Sequence, residues 1–160
     1  MNHKHEIRKL AWLVKEGLNT YIEIHNNIFN ESSTLKSFIK NIFGKGVPME
    51  NLLVEAEKLI PLWDSIQNKV KDFKNSNSST LTSEELQYFE ILIKYVNSVR
   101  NTITALVERQ RLMSKGSKSF SNNPMTWEAY KKKEIEYKNA VEDYTSIGQQ
   151  LNDAGLIIFN

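Results

Sequence analysis

The sequence predicts an all-α protein, an antiparallel up-down four-helix bundle with one extra short helix in the first connection. Three observations carry this. Apolar residues step by alternating threes and fours along four long segments, as in Leu52, Ala56, Leu59, Trp63, Ile66, Val70 and Phe73. Such a stripe is unstable alone in water and has to be buried against other helices. The connections between segments are short, which favours antiparallel neighbours. Helix start signals also fall where the periodic segments begin, most plainly at Thr82-Ser83-Glu84-Glu85, a capping box in which Thr82 and Glu85 can each satisfy the other's backbone amide.

The first helix is expected over residues 4–29, with Ile7, Ala11, Val14, Leu18, Tyr21, His25 and Ile28 on one stripe. Gly17 lies inside it and weakens it by about 1 kcal/mol relative to alanine. Trp12, Leu13 and Ile24 sit off the stripe and widen the apolar face. Asn30-Glu31-Ser32-Ser33 breaks the pattern, and Ser33 or Thr34 can cap a short helix over 34–43. Gly44-Lys45-Gly46 ends that helix, and Pro48 suits the first position of the next, predicted over 48–74. Pro61 removes a hydrogen bond within this helix and should bend it, but its strongly apolar flanks argue for continuity. A polar linker over 75–80 leads to a helix over 83–114. A loop then precedes a final helix over 125–152. Asp153-Ala154-Gly155 reads as its stop, with Gly155 in a left-handed cap. Beyond it lies an apolar tail, Leu156, Ile157, Ile158 and Phe159, expected to fold back on the bundle end or to dock on another chain.

The chain of 160 residues is one domain's worth, long enough to bury a core without staples. With no cysteine there is no disulfide framework and no thiolate zinc site. The net charge of +2 is too small to imply nucleic acid or an acidic membrane by itself. No apolar run is long enough to span a bilayer, and the N-terminus has no signal-peptide core, so a cytoplasmic location is expected. The 17 asparagines, with abundant lysine and isoleucine, suggest an AT-rich genome and a bacterial or phage source.

Catalytic chemistry is hard to assemble from these residues. The histidines are His3, His5 and His25. A continuous helix separates His5 from His25 by about 30 Å, so one site cannot use both. Glu-x-x-His pairs, His-Glu-x-x-His, the phosphate loop and the dinucleotide glycine pattern are absent. The expectation is therefore no enzyme, no catalytic or metal-ligating residues and no cofactor.

Three features remain as candidate sites. His25, Arg100 and Glu134 all fall on apolar seams, and up-down packing could gather them into a polar layer. That layer would bind an anionic group or a metal or switch with pH, or else fix helix register as a buried pair. A straight helix would instead put Val99 in the core and move Arg100 to the boundary. Arg109, Arg111, Lys115 and Lys118 close the third helix, and Lys131, Lys132 and Lys133 open the fourth. Together they would form a basic docking pole near Lys36, Lys40 and Lys45. The third feature is the tail, Leu156 to Phe159. The function these suggest is a small non-enzymatic factor that binds another protein, as an adaptor, inhibitor or immunity-type regulator, with a homodimer as an alternative use of the surplus apolar surface. Nucleic-acid binding through the basic pole is disfavoured because the nearby acids dilute it and the tyrosines recur at core spacing.

Overall fold

The computed structural model describes residues 3–31, 49–118 and 126–159. They form four helices, α1 (His3–Glu31), α2 (Met49–Asn77), α3 (Ser83–Lys118) and α4 (Trp127–Phe159), and no strand occurs among the described residues. The predicted short helix over 34–43, with Lys36, Lys40 and Lys45 beside it, lies outside the described residues.

The apolar stripes bring the helices together. In α2 Leu52, Ala56, Leu59, Trp63, Ile66 and Val70 are all buried, and Phe73 packs against their edge. Pro61 is exposed and inside the helix, which runs through it unbroken because the apolar residues on either side stay anchored in the core. In α1 Ile7, Val14, Tyr21 and Ile28 are buried at seven-residue spacing. Gly17 between them is a contact surface: a Cβ there would run into Ile66 Cδ1 and would lie 3.5 Å from the Trp63 ring. The absent side chain is what lets α1 lie close on α2.

The capping box before α3 forms as the sequence predicts. The Thr82 amide donates to Glu85 Oε2 at 2.9 Å, and the Glu85 amide donates to Thr82 Oγ1 at 3.2 Å. Thr126 caps α4 in the same way, accepting from the Ala129 amide at 3.1 Å. α3 is the most enclosed helix and packs closely on both α2 and α4. It does so with two adjacent seams. One contains Phe89, Val96, Ile103 and Val107, and the other contains Tyr88, Leu92, Tyr95, Val99, Thr102 and Leu106. Phe73 stacks on Phe89 while Glu57 meets Arg111, and Tyr95 meets Tyr144 while Arg109 meets Glu134.

Two helix ends lie well beyond the sequence reading. α3 continues to Lys118 and so includes residues expected in a loop. α4 does not stop at Gly155: it runs to Phe159, and the left-handed cap is not formed. A continued helix carries Ile158 into the core and sets Phe159 edge-on against the Tyr88 ring, 5.6 Å between centroids, whereas a reversal at Gly155 would turn both away. Leu156 and Ile157 face outward on the same helix. Trp127 is 73% exposed because it sits in the first turn of α4, beyond the end of the packed core.

α1 meets α4 through contacts near its two ends. Arg8 donates to the Phe159 carbonyl at 3.2 Å and lies over the Phe159 ring, while Tyr21 and His25 reach Tyr137 towards the other end. Between these contacts is an open cleft of about 570 Å³, with Leu18 and Ile22 on one wall, Thr145 and Gly148 on the other and Tyr95 on its floor. Gly17→Leu should force α1 off α2 and lower stability by about 1–3 kcal/mol, and Gly17→Ala by much less, since Ile66 can turn aside. Urea midpoints of the two variants test this.

Candidate functional site

The polar residues do gather, but with different membership from the sequence prediction. Arg109 of α3 is completely buried, at 0% exposure. Its Nε donates to Glu134 Oε2 at 2.6 Å, its Nη1 to Gln110 Oε1 at 2.6 Å and its Nη2 to the Tyr130 hydroxyl at 3.2 Å. Tyr130 passes its own proton to Glu134 Oε2 at 3.2 Å. The guanidinium also faces two rings, with Cζ 4.6 Å from the Phe29 centroid and 5.6 Å from that of Tyr130. An arginine survives burial only when its donors are engaged and its charge balanced. Here α4 supplies the carboxylate and α1 a π face.

A second set of groups adjoins this pair. Tyr21 and Tyr137 share a hydrogen bond of 2.6 Å, and the Tyr137 hydroxyl also reaches His25 Nδ1 at 2.5 Å. When neutral His25 carries its proton on Nε2, Nδ1 accepts from Tyr137 and the Tyr137 oxygen accepts from Tyr21; with the proton on Nδ1 both directions reverse. His25 and Tyr137 both stack with Phe29, at 4.5 and 5.6 Å between centroids, so this ring links the relay to Arg109. Partial burial, and then the nearby Arg109 charge, hold the His25 pKa below its ordinary 6.5. Burial pushes the Tyr21 and Tyr137 hydroxyls well above the usual tyrosine range, so both stay protonated.

Of the predicted polar layer, only His25 and Glu134 therefore share a neighbourhood. Arg100 lies further along α3, where its Nε donates to Asp64 Oδ1 at 2.6 Å and its Nη1 to Thr104 Oγ1 at 2.5 Å. Val99 is fully buried in its place. The rotation of α3 buries the series Tyr88, Tyr95, Thr102 and Arg109 at seven-residue spacing and leaves Arg100, about half a turn round the helix from Arg109, at the boundary. The partner expected for Glu134 was Arg100; the observed one is Arg109, whose place in the adjacent seam the sequence reading did not follow.

The basic docking pole is corrected by the same rotation. Arg109 is spent inside the bundle. Arg111 donates through Nε and Nη2 to Glu57 Oε1 at 3.0 and 2.8 Å, and Lys133 donates to Glu108 and Glu136 at 2.6 and 2.8 Å. Lys131 and Lys132 are exposed, whereas the side chains of Lys115 and Lys118 lie outside the described residues. Among the described residues no group of three or more His, Asp or Glu side chains could hold a metal ion. No described helix is long and apolar enough to cross a membrane.

Apart from Gln110 Nε2 the cluster is satisfied: the carboxylate is neutralised by arginine, the Tyr130 hydroxyl is bonded to Arg109 and Glu134, and the Tyr21 and Tyr137 hydroxyls to each other and to His25. Its groups are turned towards one another across three helices, an arrangement that couples helix positions. No family model, no curated protein and no solved structure matches the chain. Glu134→Ala should lower stability by about 3–5 kcal/mol, because it strands the Arg109 charge in the interior. Replacing both partners, with Arg109→Met and Glu134→Leu, should recover most of that loss. Chemical denaturation of the single and double variants measures the difference.

Proposed function

We propose that this chain is a small non-enzymatic regulatory factor, of adaptor, inhibitor or immunity type, that works by binding another protein. Its setting in this reading is the cytoplasm of a bacterium or of a phage-infected cell. The architecture that goes with it is an up-down-up-down antiparallel bundle, a reading supported by the opposed pairings along α2, α3 and α4.

The observation that carries the proposal is the outer face at the end of α4. Leu156 and Ile157 are 62% and 70% exposed on a helix whose inner face, through Ile158 and Phe159, is anchored in the core. Leaving two adjacent aliphatic side chains in water forgoes roughly 1.5–3 kcal/mol for each, compared with full burial. Single exposed apolar residues are ordinary, whereas adjacent ones on an ordered helix end suit a partner surface. Trp12 on α1, 60% exposed with Lys15 over its ring at 5.0 Å, supplies a further aromatic group of the kind that anchors interfaces.

Capture experiments with the full chain test this reading. The intact protein should retrieve one protein from cells of its own source in near-stoichiometric amount, and the complex should survive physiological salt. A Leu156→Glu, Ile157→Lys variant with an unchanged melting temperature should lose that protein. A monomer that retrieves nothing overturns the reading. A concentration-dependent dimer, lost in the same variant, would make a second copy the partner.

A further inference from the structure

We propose that protonation of His25 unlatches the C-terminal third of α1 from α4, a proton-driven switch on the width of the cleft between these helices. The inference is independent of any partner and rests on how the two helices are joined.

On one side of the cleft the link is Arg8 with Phe159. On the other it is a single connected group in which Tyr21, His25 and Phe29 of α1 converge on Tyr137 of α4, with Tyr21 also edge-on to Tyr144 at 5.9 Å. When His25 carries no proton on Nδ1 it accepts from Tyr137, and protonation removes that acceptor. The imidazolium can only donate to the Tyr137 oxygen, so the Tyr137 proton turns to Tyr21 and the relay reverses, with a charge now placed in the seam between α1 and α4.

The charges facing His25 make the protonated state worse. From its own helix Tyr21 faces it, neutral and strongly protonated. From α4 come Tyr137 and, behind it, Glu134 and Tyr130, both already engaged by Arg109. From α3 comes Arg109 itself, seated against the same Phe29 ring that stacks on His25. Among the described residues α2 brings no charge that acts on it. A proton on His25 therefore places a second cation beside an arginine whose one carboxylate is committed, in a half-buried setting where water screens it poorly.

The sign of the pH effect follows from linkage. The latched form holds His25 below its ordinary value, so the unlatched form binds the proton more readily. The latch is intact above the ordinary histidine range and weakens as pH falls through about 6.5. The ratio of unlatched to latched chains should rise by up to about tenfold for each pH unit between the two values.

The natural chain has no cysteine, so Asn26→Cys and Lys138→Cys can carry a pair of spin or fluorescent labels on the facing helices. The distance between them should lengthen between pH 7.5 and pH 5 while far-UV circular dichroism stays constant. His25→Gln keeps an acceptor for Tyr137 but cannot gain a charge, and should hold the short distance at both pH values. His3 and His5 are retained in that variant and serve as its control. An unchanged distance in the parent at pH 5 overturns the proposal. So does equal lengthening in His25→Gln, which would assign the effect to carboxylates, or loss of helicity alongside it, which would make the event general acid unfolding.

Discussion

The structure depends on α3 burying two adjacent seams at once. A helix at the edge of a bundle hides one stripe and leaves a wide polar face in water. α3 packs closely on α2 and on α4 and offers floor residues to the cleft beside α1, so more than one stripe must leave solvent. Its second seam steps through Tyr88, Leu92, Tyr95, Val99, Thr102 and Leu106 to Arg109. Each polar member then needs a partner supplied by another helix. Thr102 meets the Ala140 carbonyl at 2.9 Å, and Arg109 meets Glu134 and Tyr130 of α4 and the Phe29 ring of α1.

That requirement explains why the polar groups collect towards one end of the bundle. Along the rest of α3 the second seam, Thr102 apart, is apolar or aromatic and needs only close packing. Gly148 leaves room for the Tyr95 ring, which a Cβ would approach to 3.1 Å, and Gly17 performs the same service for α1 over Trp63 and Ile66. At Arg109 packing is insufficient, because a guanidinium buried without counter-charge is far more costly than a small void. Glu134, Tyr130 and Gln110 answer it, and the Tyr21–Tyr137–His25 chain fills the space beside them. The buried ion pair is weak evidence of stability and better evidence of specificity, since it fixes the rotation of α3 against α4. It leaves Gln110 Nε2 buried without a partner among the described residues, a local cost of about 1–3 kcal/mol within an otherwise bonded cluster.

The α1–α4 seam contrasts with this. α1 is held tightly on α2 by apolar contact, and to α4 by contacts on either side of a cleft. Most of the bundle's cohesion thus runs through α2, α3 and α4, and the join of α1 to α4 is the one that rests on polar and aromatic side chains. Hydrogen-bonded contacts of that kind respond to protonation, whereas the aliphatic packing of Val14 or Ile66 does not.

How much of this was legible before the fold was known varies residue by residue. The α2 stripe and the Thr82–Glu85 box are local properties, set by spacing and by hydrogen bonds reaching three residues along the chain, and the apolar flanks that carry α2 through Pro61 are visible in the same stripe. The sequence therefore determined them. The end of α4 was misread because Gly155 is permissive and not obligatory as a stop. What kept the helix going was Tyr88, a residue more than sixty positions away that receives Phe159. The partner of Glu134 was likewise undecidable, since Arg100 and Arg109 are both arginines on inward-leaning seams of one helix. Only tertiary packing chose between them. The choice follows from which face of α3 the packing turns inward: at about 100° per residue the two arginines lie about half a turn apart, so one faces Asp64 at the boundary while the other has no water left to face.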